Sequence, residues 1–117
     1  MDIALPKIVR VIRLSDYAPE FGEAAIHVWL NPPRSFLRKL EELRSGLAAE
    51  PSEATMTEWY GWIAEVWSQG PEGTRWTVDE VKLMAERCAD TDPGLMNHLV
   101  TTTLEMIFEH RRAAQKN

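Results

Sequence analysis

The chain has 117 residues, a length suited to one domain around one apolar core, and its 44% apolar and 26% charged content is ordinary for a globular protein. Its apolar runs are too short for a membrane span, and the lone Cys88 excludes an internal disulfide and a thiolate metal cluster. The net charge of −5 is concentrated in residues 50–109, which hold twelve acids and three bases and so argue against a nucleic-acid surface there.

In chain order, the opening Met1-Asp2-Ile3-Ala4 has no basic region followed by an apolar stretch, so no secretory signal is read and the cytosol is the expected location. Residues 7–14 (Lys-Ile-Val-Arg-Val-Ile-Arg-Leu) are rich in β-branched side chains. In residues 24–30, Ile26, Val28 and Leu30 alternate onto one face, the pattern of a half-buried strand. The nine residues between hold Asp16, Pro19 and Gly22, which predicts a longish loop and an antiparallel pair over about 7–30. An isolated hairpin is barely stable in water, so it must pack on helices or on another chain. Lys7, Arg10 and Arg13 would partly guard an open edge.

Asn31-Pro32-Pro33 ends the second strand and supplies an N-cap and first-turn prolines. Phe36, Leu37, Leu40, Leu43 and Leu47 then recur at helical spacing, fading at Gly46 and Pro51. A second helix is predicted over about 53–69, with Trp59, Ile63, Val66 and Trp67 as its apolar stripe and Met56 and Tyr60 beside it. Residues 68–74 (Ser-Gln-Gly-Pro-Glu-Gly-Thr) read as a loop. Thr77 and Glu80 have the spacing of a capping box at the start of a third helix, which runs to about Ala89 with Val81, Met84, Ala85 and Cys88 inward. Asp92-Pro93 opens the last helix, whose Leu95/Met96, Leu99/Val100, Thr103/Leu104 and Ile107/Phe108 sustain an i, i+4 stripe. The expected fold class is α+β: an N-terminal two-stranded antiparallel element and about four helices over about 33–113, in a single domain of residues 1–117.

Little in this pattern resembles an active site. No two of His27, His98 and His110 are three or four residues apart, so no local metal site or other cofactor site is expected, and structural or surface roles are assigned to all three. Cys88 falls on an inward helix face without a base at an identifiable spacing and reads as a small hydrophobe. Glu41-Glu42 and the scattered acids fit solvated helix faces, and residues 70–73 (Gly-Pro-Glu-Gly) lack the Lys-Ser/Thr and the preceding strand of a phosphate loop. The five tryptophans stand out. Trp59 and Trp67 are assigned to the core; Trp62 lies about 60° from Trp59 on a helical wheel, off the main stripe, and Trp29 faces away from Ile26 and Val28. Because tryptophan is enriched at binding hot spots, Trp29 and Trp62 are the candidate partner-binding anchors.

Several features in order resemble a tail assembly chaperone of long-tailed siphophages or related prophages. They are the β segment ending Val28-Trp29-Leu30-Asn31-Pro32-Pro33-Arg34, the helix directly after it, the Trp-rich stretch from Trp59 to Trp67, and the closing run from Glu105 to Asn117. The resemblance implies a non-catalytic protein that binds the tape measure protein, keeps it soluble and recruits tail tube subunits. It further implies action in the cytoplasm of the bacterial host, absence from the mature virion, and a short and a frameshifted long form. No nucleic-acid or membrane partner is expected, and self-association is expected through the strands or an aromatic helix face. The alternatives are a structural virion protein of the tail or head–tail connector, and a small enzyme or metal-binding regulator; clustering of the histidines or Cys88 with carboxylates would favour the latter. Gln115-Lys116-Asn117 permits the codons CAA AAA AAC, which contain the slip heptamer A AAA AAC, although other codons encode the same residues and a polar helix end is the plainer reading.

Overall fold

The computed structural model describes residues 8–49, 52–68 and 76–115. Lys7, Pro51, residues 69–74 of the loop expected at 68–74, and the Lys116-Asn117 end lie outside the described residues, as does the side chain of Leu47; Ser68, the first residue of that expected loop, is in a strand instead.

The β-branched N-terminal segment forms β1 (Val9–Arg13), and the alternating segment forms β2 (Ala25–Trp29). They pair antiparallel with Ile12 opposite Ile26 and Val11 opposite His27. Backbone bonds extend the ladder at both ends, from Leu14 N–H to the Ala24 carbonyl at 3.0 Å and from Leu30 N–H to the Ile8 carbonyl at 2.8 Å. Two short 3₁₀ turns, Leu14–Asp16 and Pro19–Phe21, connect the strands. Gly22 closes the second turn with φ of 61°, a conformation that costs glycine least. As the alternation predicts, Ile26, Val28 and Leu30 are buried on one face.

Four helices follow: α1 (Arg34–Ala49), α2 (Glu53–Val66), α3 (Val78–Thr91) and α4 (Pro93–Gln115). The α+β layout of an N-terminal antiparallel element and four helices is therefore the observed one. Asn31 differs from its expected part as a helix cap: its side-chain oxygen accepts the Ile8 N–H at 2.7 Å and fastens the end of the strand pair. The Pro33 carbonyl instead accepts the first bond of α1, from Phe36 N–H at 3.0 Å. Ser52 caps α2 by accepting the Thr55 N–H at 3.1 Å. The capping box of α3 is formed, with Glu80 N–H bonded to Thr77 Oγ1 at 3.1 Å and Thr77 N–H to Glu80 Oε1 at 3.0 Å.

The second helix is shorter than its periodicity predicts. It ends at Val66, and Trp67–Ser68 form a two-residue strand, β3, that pairs antiparallel with β2. The described sheet thus has three strands in the order β1-β2-β3, with β2 in the middle. Tertiary packing explains the break. Trp67 stands opposite Val28, both side chains are fully buried, and the indole N–H donates to Thr103 Oγ1 at 2.9 Å. Continuing the helix would rotate this side chain away from its acceptor. Thr103, in turn, donates to the Leu99 carbonyl at 2.7 Å, so the buried hydroxyl is satisfied twice.

One buried cluster joins the sheet to all four helices. Leu95, Leu99, Thr103 and Ile107 form the buried row of α4, while Met96, Val100, Leu104 and Phe108 flank it half-buried. Leu40 and Leu43 of α1, and Val81 and Cys88 of α3, enter the same core. No described helix is long and apolar enough to cross a membrane.

Candidate functional site

The aromatic residues are sorted by their hydrogen-bond partners as much as by position on the helix. Trp62, placed off the core stripe by its spacing, is 3% exposed. This corrects its assignment as a surface anchor. Helix α2 packs against both α1 and α3, so its buried surface is wider than one stripe. On the α1 side, Trp62 donates its indole N–H to the Phe36 carbonyl at 2.9 Å. Its ring stacks on Phe36 at 5.0 Å and on Trp59 at 5.8 Å between centroids. Trp59, assigned to the core by its spacing, is the half-buried outer member of that stack, so the expected places of the two side chains are exchanged.

Trp29 lies on the outer face of β2, as expected, and is half-buried. Its ring meets Phe36 at 6.2 Å, which makes it the other end of a run of four aromatic rings, Trp29–Phe36–Trp62–Trp59. Of the two sequence-predicted anchors, Trp29 therefore retains accessible surface and Trp62 is a packing residue between α1 and α2.

The titratable groups are dispersed. His27 sits in β2 opposite Val11 and Ser68, and its Nδ1 is buried without a hydrogen-bond partner among the described residues. His98 packs on the Tyr17 ring at 5.2 Å. His110 is twelve residues further along α4, about 18 Å away at helical rise. Among the described residues no three His, Cys, Asp or Glu side chains are grouped to hold a metal ion. Burial pushes the Cys88 thiol up from its ordinary range, opposite to the depression that would favour a thiolate nucleophile. The Tyr17 hydroxyl donates to Asp92 Oδ1 at 2.7 Å, and this bond raises the Tyr17 pKa above its ordinary value. That contact joins the inter-strand connection to the α3–α4 corner. A Cβ at Gly94 would meet the Tyr17 oxygen at 2.9 Å, so a larger residue there would push the end of that side chain aside.

Beside this corner lies an open cleft of about 430 Å³. One face of α3 forms its wall through Glu80, Leu83, Met84, Arg87, Cys88 and Thr91, which recur at helical spacing. Leu14 and Phe21 from the 3₁₀ turns, Trp76 before α3 and Leu95 from α4 complete the apolar lining. Leu83 is 47% exposed on this wall, the largest exposure among the big apolar side chains described. Trp76 meets Trp67 edge-to-face at 5.4 Å, and its indole nitrogen is buried without a hydrogen-bond partner among the described residues. Glu80, Arg87 and Asp92 set charges of both signs around the apolar lining.

Sequence reasoning missed this cleft. Leu83 falls outside the Val81/Met84/Ala85/Cys88 stripe, and an apolar residue off the stripe was the available signal. The facing residues Leu14 and Phe21 come from more than 60 positions away and could be found only from the fold. No known protein family, curated protein or solved structure matches this chain.

Proposed function

We propose that this protein is a non-catalytic tail assembly chaperone of a siphophage or prophage, which binds the tape measure protein and helps recruit tail tube subunits in the cytoplasm of the bacterial host. The observation that carries the reading is the α3 cleft, where Leu83, Met84, Phe21 and Trp76 offer apolar surface inside a charged rim on an acidic chain. A chaperone for a long, partly apolar helical client needs such a surface, because it must cover client side chains while its own charge keeps it soluble. The resemblance running from Val28-Trp29-Leu30 to the closing Glu105–Asn117 segment supplies the identity of the client. Trp29, accessible on the outer face of β2, is a second contact for a partner.

Self-association belongs to the same proposal. Strand β1 lies at one end of the described sheet order, and it carries Val11 at 41% exposure with Ile8 at 43% just before it. Edge pairing or apolar contact through this strand would join copies. Sedimentation is expected to show concentration-dependent association; a strict monomer at high concentration removes this part of the proposal.

Co-expression tests the main reading. A long tape measure protein co-expressed with this chain should be recovered soluble with it, and insoluble without it. Mass spectrometry of purified virions should then find the long protein but not this chain. Recovery of this chain as a stoichiometric particle component would replace the chaperone with a structural virion protein. The codons for Gln115-Lys116-Asn117 decide the slip site: CAA AAA AAC with an overlapping downstream frame retains it, and CAG, AAG or the absence of that frame eliminates this site.

A further inference from the structure

A second groove, separate from the α3 cleft, runs along α4 from Thr101 to Ala114, walled on its other side by α1 and by the β2–α1 connection, residues 30–33. It consists of three adjoining hollows of about 440, 290 and 310 Å³ that share Arg34, Arg111 and Phe108 between neighbours. The two helices line it antiparallel: Arg34 lies across from Arg111, and Arg44 lies across from Thr101 and Glu105. Leu37, Leu104 and Phe108 provide half-buried apolar lining.

Its charge is opposite to that of the chain. Five arginines (Arg34, Arg38, Arg44, Arg111 and Arg112) and three glutamates (Glu41, Glu105 and Glu109) line the groove, whereas the remainder of the chain has eight bases and fifteen acids. None of the five arginines has an ion-pair partner among the described residues, although Lys39 reaches both Glu42 and Glu58 nearby. The helix dipoles accentuate this. Arg111 and Arg112 suit the C-terminal end of α4, but Arg34 and Arg38 occupy the first turns of α1, where a cation opposes the dipole and α1 has no acid in its first turn. The arginines at the start of α1 therefore serve neither their own helix nor an internal ion pair.

We propose that this groove docks an acidic amphipathic helix of a partner polypeptide. Guanidinium groups on both walls would meet carboxylates on the flanks of that helix, and the half-buried leucines and Phe108 would meet its apolar stripe. From Arg34 to Arg44 the groove is about 15 Å long at helical rise, which matches about three turns and anchors at i, i+3/i+4 and i+7. A nucleic-acid strand fits less well. Its phosphates would be repelled by Glu41, Glu105 and Glu109, and its backbone has no apolar side to set on Leu37 and Phe108. The proposal goes beyond the chaperone reading, since the α3 cleft contributes no residue to this groove.

Fluorescence anisotropy with the full chain tests it. The probe is a labelled three-turn peptide with leucines at i, i+3 and i+7 and glutamates between; its controls are the same peptide with lysines for glutamates and a single-stranded oligonucleotide. The glutamate peptide should bind at least about tenfold tighter than the lysine peptide at low salt, and added salt should erode the difference. Arg38→Glu with Arg111→Glu should reverse the preference, and Arg38→Gln with Arg111→Gln should abolish it. Glu86→Gln, on the exposed face of α3 and outside both the cleft and the groove, should leave binding unchanged. Equal binding of the two peptides to the unaltered protein overturns the proposal without recourse to any variant, as does tighter binding of the oligonucleotide.

Discussion

The α1–α2 contact and the α3 cleft are both rich in large apolar side chains, yet they differ in how their groups are satisfied. At the α1–α2 contact, Trp62 is stacked on two rings and its N–H reaches the Phe36 carbonyl. At the cleft, Leu83 is open to solvent and the Trp76 N–H has no acceptor among the described residues. Aromatic content alone does not distinguish a core from a docking surface. Closure of the packing and of the hydrogen bonds does, because a buried donor without an acceptor is costly and an indole with both ring faces covered has nothing left to offer a partner.

Trp62→Ala should give the largest effect. Removing a buried indole should cost about 3–5 kcal/mol in urea or thermal unfolding, through lost burial and a cavity between α1 and α2. Trp59→Ala and Trp29→Ala, at half-buried positions, should cost clearly less. Equal losses at all three would erase the distinction between a closed contact and an open surface. Thr103→Val sharpens the same distinction at the β3–α4 contact. Valine fills the space but cannot accept the Trp67 N–H, so stability should fall by about 1–3 kcal/mol. A neutral outcome would mean that closure of hydrogen bonds is not what holds Trp67 in place.

How far the sequence could be read follows the same line. The β2 alternation, the Thr77/Glu80 capping box and the Leu95–Ile107 row were legible because each depends on neighbours within one element. The exchange of Trp59 with Trp62 was not, since it depends on a carbonyl in α1, 26 positions away. Strand β3 was hidden for a related reason: Trp67 continues the helical period of α2, and only pairing with Val28 and the bond to Thr103, 36 positions on, pull it into a strand. The α3 cleft needs the 3₁₀ turns brought against a distant helix, so its residues carry no shared local pattern. The placement of Trp29 on the outer face of β2 was readable from parity alone.

At the corner beside the cleft, a pH-dependent effect is expected from Tyr17. Its hydrogen bond to Asp92 raises its pKa in the folded state above the ordinary value of 10.0. The group thus binds its proton more tightly when folded. Its contribution to stability is fully present below that ordinary value and is lost as pH rises through the folded pKa. Unfolding measured across the alkaline range should show this loss, and Tyr17→Phe should remove the corresponding part of the slope. An unchanged slope in the variant would place the alkaline sensitivity elsewhere.

Leu83→Glu should have the smallest effect on stability and decides most about the cleft. Leu83 is 47% exposed, so replacing it opens no cavity, and glutamate suits a helix; unfolding should shift by no more than about 0.5 kcal/mol. Binding to a client should respond differently. A carboxylate placed on the apolar wall beside Met84 and Cys88 must be desolvated when a partner covers it, and Glu80 adds like charge one turn away. If Leu83 is an anchor, affinity for the co-purified long protein should fall by about 2 kcal/mol or more, read by titration with the soluble complex as reference. Met84→Ala would not separate the two roles, because that side chain is half-buried against the core. Stability and affinity that fall together in Leu83→Glu would show that the cleft is part of the packing, whereas lost affinity at unchanged stability would mark it as the surface that meets the client.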